Sequence, residues 1–233
     1  MQLLIVLLPL VLGTLLTWWL GSRSRPLTAL AAAAVTATSL ALLLSQAPAI
    51  LDGQAIVVFT PCVPQIGLNL GFRLDGLSLM FAGLIMGIGL LIILYASYYL
   101  SPTDSVAKFY AVMMLFMAAM LGVVLSDNLL LLVVFWELTS VSSFLLVGYW
   151  SHRPDARSGA RQALAVTGGG GLAMLGGFVL LGLIAGTFEL SEMAGRAAEI
   201  QADPMFVPAL LLILLGAFTK SAQFPFHFWL PDA

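Results

Sequence analysis

The sequence predicts an all-α polytopic membrane protein with about seven transmembrane helices, the last of them discontinuous near Pro225. Three observations lead there. Of 233 residues, 61% are hydrophobic and 9% are charged, whereas a soluble domain needs roughly 25% charge to wet its surface. The apolar residues fall into runs of the ~20 residues that cross a bilayer, and the mean hydropathy is +1.07. The charges collect between these runs or at their very ends (Asp75, Lys108, Arg161), except for Glu137 and Lys220, which lie deep inside them. Composition also excludes whole classes of function. The lone Cys62 gives neither an internal disulfide framework nor a cysteine-built metal site. Two histidines do not build a haem or copper centre by themselves, so no cofactor and no metal is expected. A net charge of −2 leaves no electrostatic footprint for nucleic acid.

The first apolar run, residues 2–20, has no Lys or Arg ahead of it; its basic pair, Arg23 and Arg25, follows. That is the pattern of an uncleaved anchor whose start lies outside, not of a signal peptide. Further runs cover residues 27–44, 74–100, 107–125, 128–149, 160–186 and 205–224. Numbered from the N-terminus, the odd connections hold Arg23, Arg25, Lys108, Arg153, Arg157 and Arg161, and the even ones only Arg73 and Arg196. Basic loops stay cytoplasmic, so the N-terminus is expected outside and residues 231–233 inside. The second connection, residues 45–73, breaks the helical pattern. Its β-prone stretch 55–60 is followed by Pro61, Pro64, Gly67 and Asn69, turn formers that predict an extended outer hairpin. It reads as a spacer. The sixth connection, with Glu189, Glu192, Glu199 and Asp203 against Arg196, reads as a short amphipathic segment on the outer surface. Trp18, Trp19, Tyr98, Tyr99, Tyr149 and Trp150 sit near span ends, where aromatic belts belong.

The run Gly168 to Gly171 has the look of a phosphate cradle, but it lies mid-span with no strand before it and no lysine in place. Small residues let helix backbones approach closely in lipid. Packing is therefore the reading for this run, for Gly176 and Gly177, and for Gly83, Gly87 and Gly89.

Glu137 lies ten residues beyond Asp127, a depth of ~15 Å at 1.5 Å per residue, near the midplane of a ~30 Å core. Thr139, Ser140 and Ser143 make one flank of its helix polar. An ionised group at that depth costs roughly 2.5–3.5 kcal/mol on insertion scales. Lys220 lies ~18–22 Å from the start of its own run. Five residues on, Pro225 cannot donate to the Ser221 carbonyl and crowds it, so the helix should break just beyond the lysine. Broken helices survive in lipid only where protein or a watered cavity satisfies the loose backbone. At ~10 Å and an effective dielectric of ~20, Glu137 and Lys220 attract by ~1.7 kcal/mol. Such a pair is a proton switch if water reaches it, or otherwise a clamp between helices. His227 is placed to relay protons or to sit at the interface; His152 reads as solvated, and Asp75 and Lys108 as anchors at span ends.

Residues 72–81 (FRLDGLSLMF), 127–148 (DNLLLLVVFWELTSVSSFLLVG) and 219–233 (TKSAQFPFHFWLPDA) resemble one superfamily. It is that of the antiporter-like proton-pumping subunits of respiratory complex I and of Mrp-type multisubunit sodium/proton antiporters. Trp136 to Ser140 and the Phe226 to Pro231 ending are most similar to the large MrpA-type component of the Mrp system. The resemblance implies that Glu137 is the family's fifth-helix glutamate and Lys220 the lysine of its discontinuous seventh helix. It implies that the two form the coupled proton-transfer pair, with His227 in the lysine's neighbourhood. It also implies a partial inverted-repeat fold: residues 1–106 form an N-terminal three-helix region with the outer hairpin at about 45–73, and residues 107–233 an incomplete first translocating repeat. The family continues past Ala233, so a truncated product or one part of a split subunit is expected.

The expected function is that of a monovalent cation (Na⁺)/proton antiporter subunit in a bacterial inner membrane, with the other subunits of a hetero-oligomeric complex, protons, Na⁺ and lipid as partners. The sodium comes from the resemblance alone. An enzyme-class alternative is a proton-pumping subunit of an NADH:quinone oxidoreductase or membrane hydrogenase. A third reading is a truncated, non-transporting scaffold.

Overall fold

Apolar runs with no water to satisfy their backbones must close every hydrogen bond internally, and helices do so. The computed structural model describes residues 3–233 and follows that rule. Its helices are α1 (Leu4–Gly21), α2 (Arg25–Leu44), α3 (Ala47–Leu51), α4 (Gly76–Tyr99), α5 (Val106–Leu125), α6 (Leu129–Val147), α7 (Pro154–Ala185), α8 (Leu190–Ala194), α9 (Ala197–Ala202) and α10 (Phe206–Lys220). Strands β1 (Ile56–Val63) and β2 (Leu68–Leu74) pair between α3 and α4. Among the described residues, α1, α2, α4, α5, α6 and α7 are long and apolar enough to cross a membrane. The chain is a multi-pass membrane protein. The seventh run is shorter than expected: α10 has 15 residues, ~22 Å of helix. Residue 2 of the first run lies outside the described residues. One other expectation shifts: α7 begins at Pro154 rather than 160. Arg157 and Arg161 thus ride on the first turns of α7 instead of on a loop. Pro at the first helical position explains the early start, since its fixed φ and missing N–H suit a helix N-terminus.

The chain forms two compact units, one of residues up to Val58 with Arg73–Leu125, the other of Phe59–Phe72 with Ser126–Ala233. In the first unit α1 packs on α2 and α5, and α4 packs on α2 and α5. Close approach uses small residues. A Cβ on Gly13 would strike Met114 and Val35, one on Gly21 would strike Ala107, and one on Gly89 the Met117 sulfur. Gly83 and Gly87 depart from the packing expectation, for a Cβ there would meet nothing. The buried stripe of α4 runs Ser78, Ala82, Met86, Gly89, Ile93 and Ala96. Gly83 and Gly87 each follow a stripe residue by one position, ~100° round the helix. Buried Thr17, Thr28 and Thr36 donate back to carbonyls of their own chain four residues earlier. Arg25 turns its guanidinium onto the carbonyls of Leu100, Ser101, Pro102 and Asp104. One basic residue of the first connection therefore holds the third.

In the second unit α7 packs against both α6 and α10, over a core of Leu129, Val133, Met174, Phe178, Met193 and Ile200. The sixth connection is amphipathic as expected: Met193 and Ile200 are buried while Arg196 and Glu199 pair at 2.9 Å in solvent. The hairpin departs from the spacer reading. Gly67, with φ 75°, lies under the Phe188 ring, the Gly71 carbonyl accepts from the Asp127 N–H at 2.9 Å, and Phe72 meets Phe135 at 6.3 Å. This part of the hairpin is packed structure. Turn residues announce a reversal of the chain but carry no information about what the reversed segment touches.

Candidate proton-transfer site

The site is built on three helices of the second unit. The N-terminus of α6 is fixed by Asn128, whose Oδ1 accepts from the N–H groups of Leu130 and Leu131 as an N-cap. Glu137 follows near the middle of α6. Its Oε1 is buried with no hydrogen-bond partner, as is Nε1 of its neighbour Trp136. The carboxyl has room because Gly171 of α7 faces it: a Cβ there would land on Oε1. One position back, a Cβ on Gly170 would land on the Thr219 hydroxyl of α10. Successive helical residues point ~100° apart, so two adjacent glycines serve two different neighbours. The run packs as the sequence implied, although Gly168 and Gly169 face open space. Further along the same contact, a Cβ on Gly177 would strike the Ala209 carbonyl and Ile213, and one on Gly216 the Gly170 carbonyl.

Helix α10 has Lys220 as its last residue and Ser221 as its C-cap, so the break falls just beyond the lysine as expected. Ala222 takes a left-handed φ of 52°, and the Gln223 N–H returns to the Phe218 carbonyl at 2.9 Å. That is the closing bond of a Schellman turn. Pro225 supplies the reason for the stop, since it can neither donate onward nor sit in a helix interior. The freed Thr219 carbonyl accepts from Trp229 Nε1 at 3.0 Å, out of the 3₁₀ turn Phe226–Asp232. An interrupted helix in an apolar setting needs such a partner. The resemblance over Phe226 to Pro231 assigns Trp229 no role; its position just past a predicted helix break was the available signal.

With its helix ended, Lys220 reaches across to α6. Its Nζ donates to Ser140 Oγ at 2.9 Å and lies 5.8 Å from the Trp136 ring centroid, within cation–π range. Ser140 is three residues from Glu137, one helical turn at ~5–6 Å between Cβ atoms. The two charged groups share one face and act on each other electrostatically, but the serine, not the carboxylate, takes the ammonium's hydrogen bond. His227 is elsewhere: it is exposed on the 3₁₀ turn with its ring stacked on Phe224 at 5.7 Å. Of the expected trio, then, the structure brings two together. Asp75 is an anchor, capping α4 through Ser78 in a reciprocal capping box and pairing with Arg73 at 3.2 Å.

Residues 126–233 match the family described as NADH:quinone oxidoreductase/Mrp antiporter, TM, and residues 61–110 match the N-terminal part of complex I chain 5. Over 174 residues, 74% of its length, the chain is 55% identical to the A-type subunit of the Na⁺/H⁺ antiporter of Alkalihalophilus pseudofirmus. The chain belongs to the antiporter-like family of membrane subunits. Another family member, the A/B-type subunit of a probable K⁺/H⁺ antiporter of Rhizobium meliloti, is 54% identical over 171 residues, 73% of the chain. The chain spans only 22% and 17% of the lengths of these two relatives. All of it superposes on a quarter (25%) of a chain in the Mrp complex of Dietzia sp. DQ12-45-1b, with a TM-score of 0.83 and 33% identity. An antiporter-like fold also recurs in an archaeal membrane-bound sulfane sulfur reductase, at TM-score 0.82 and 23% identity, over 100% of this chain and 36% of that one.

Proposed function

We propose that the chain is the N-terminal part of a monovalent cation/proton antiporter subunit, in which Glu137 and Lys220 form the coupled proton-transfer pair. One observation carries the reading: an ammonium at the end of an interrupted helix, hydrogen-bonded one turn from a half-buried carboxyl whose Oε1 is enclosed among apolar helices. At ~6–8 Å and an effective dielectric of ~20, the attraction is ~2–3 kcal/mol. While Glu137 is ionised, that attraction holds the proton on Lys220. When Glu137 takes up a proton the attraction is gone, and Lys220 can hand its own proton on through Ser140 and water. The orphaned Glu137 Oε1 and Trp136 Nε1 are an acceptor and a donor of the kind a buried water links. His227, on the far side of the helix break, would receive the proton at the opposite surface.

Residues 107–233 would be the first, incomplete translocating repeat, working with further subunits in a bacterial inner membrane, N-terminus outside. The Arg and Lys bias toward odd connections supports that orientation. Sodium is the proposed cation, since relatives are named as subunits of Na⁺/H⁺ antiporters. A second reading, a proton-pumping subunit of a redox complex, draws on the family's description; iron–sulfur or quinone-site genes beside this one would favour it over a secondary transporter.

The deciding measurement is cation-dependent proton flux in everted vesicles containing the partner subunits. Glu137→Gln and Lys220→Ala should each lower it by about a hundredfold or more, the usual worth of a positioned proton-transfer group. Lys220→Arg should fail as badly, since guanidinium keeps the charge but does not release its proton. Unchanged flux in the Glu137 and Lys220 variants would sink the assignment.

A further inference from the structure

The richest polar cluster outside the Glu137–Lys220 site lies where the hairpin meets the α7–α8 connection. Glu189 there is only 6% exposed. Its Oε1 accepts from two amides, Asn128 Nδ2 at 2.7 Å and Asn69 Nδ2 at 3.1 Å. Its Oε2 is buried without a partner, and so is Oδ1 of the same Asn69. Turning the Asn69 amide round would aim its oxygen at the carboxylate, so the orientation with nitrogen toward Glu189 is the favourable one. Two buried acceptors on touching side chains are thus left without donors, and an unmet buried polar atom is costly. The neighbouring acids are already committed: Asp127 accepts from the Ser191 N–H and hydroxyl, and Glu192 from Thr187. Gly71 leaves the room, since a Cβ there would crowd Glu189 Oε2. Glu189 and Asn69 also line a cavity of about 400 Å³ with Gly67, Thr187 and Glu192.

We propose that Asn69 Oδ1 and Glu189 Oε2 are ligands of a small monovalent cation, Na⁺ or K⁺, at the hairpin end of the second unit. Hard cations take oxygen ligands, and both unmet atoms are oxygens. A single uncommitted carboxylate with neutral amides balances one positive charge. Divalent ions take more carboxylate, and soft metals take Cys or His; no group of three His, Cys, Asp or Glu side chains is placed to hold a metal among the described residues. The adjoining cavity, with a second carboxylate on its wall, gives an ion access and room for its remaining waters. Asn128 links the site to the proton path, because its Oδ1 caps the helix that bears Glu137 while its Nδ2 holds Glu189.

The test uses the full chain in lipid nanodiscs, with thermal stability followed as NaCl or KCl replaces choline chloride at fixed ionic strength. A ligand that binds only the folded state raises the melting temperature with its concentration. Wild type should respond to one or both salts, and which one names the ion. Glu189→Gln should not respond, and Asn69→Ala should need about tenfold more salt for the same shift, as loss of one ligand implies. Glu137→Gln should respond as wild type, which separates this site from the transport reading. A flat wild-type response would overturn the proposal. So would a larger response to CaCl2, or an unaltered response in Asn69→Ala, the variant that decides should Glu189→Gln fail to fold.

Discussion

Glu137 has its room only because residue 171 has no side chain. A methyl group there would meet the far end of a flexible carboxyl rather than backbone, so the carboxyl can swing aside at little cost to the fold. Its orientation toward the Lys220 face cannot survive the swing. Proton-transfer groups tolerate little displacement, and a shift near 1 Å can cost about a hundredfold in rate. Gly171→Ala should therefore lower cation-dependent proton flux in vesicles by about tenfold to a hundredfold, while the chain's melting temperature in nanodiscs moves little. A large fall in stability with intact flux per folded molecule would show that residue 171 serves packing alone. Gly170→Ala makes the natural comparison, because its methyl would meet Thr219 Cβ at 2.7 Å, an atom that cannot move without the helix.

At the scale of elements, helix ends carry the informative chemistry. Asp75 caps α4, and its carboxyl is held below its ordinary value of 3.8, chiefly by the hydrogen bond from the Ser78 N–H, with the Ser78 hydroxyl and Arg73 adding to this against the opposing effect of burial. Because the folded value is depressed, the stabilisation is present in full above pH 3.8 and is lost as pH falls through the folded value. Asp75→Ala should cost about 1 kcal/mol at neutral pH, the usual worth of a cap, and the two proteins should converge in stability on acidification below that window. The pair with Arg73 adds little, since both side chains are about a third exposed. A pH-independent difference between them would mean that the cap's charge contributes nothing. What the sequence made legible follows the same division. Apolar runs placed five spans to within two residues and the sixth to within six, because lipid permits few alternatives there. Glu137 and Lys220 stood out for the same reason. The roles of Asn128 and Trp229, the carboxyl for which Gly171 makes room, and the packing of the hairpin stayed hidden, because each depends on which distant segment comes to meet it. Asn69 and Glu189 lie 120 positions apart, and nothing in the local pattern around either residue names the other.

At the scale of the whole chain, helices that cross a membrane in turn must place odd connections on one side and even ones on the other. Contacts within each unit respect that parity. In the first unit the first connection holds the third through Arg25. In the second, the second, fourth and sixth connections meet through Gly71, Asp127 and Ser191. At its other end, a Cβ on Gly159 would strike the Asp232 carbonyl, bringing the fifth connection's side to the chain's last residues. Parity alone leaves the bilayer direction open, and the chain carries its own probe. Cys62 is its single cysteine and is exposed on the hairpin. If the basic odd connections are cytoplasmic, the hairpin faces outward, and a membrane-impermeant maleimide should label Cys62 in intact spheroplasts. In a Cys62→Ser background, His152→Cys, exposed on the fifth connection, should be labelled only in everted vesicles. The reverse pattern would place the N-terminus inside, and the Asn69–Glu189 oxygens would then open toward the cytoplasm.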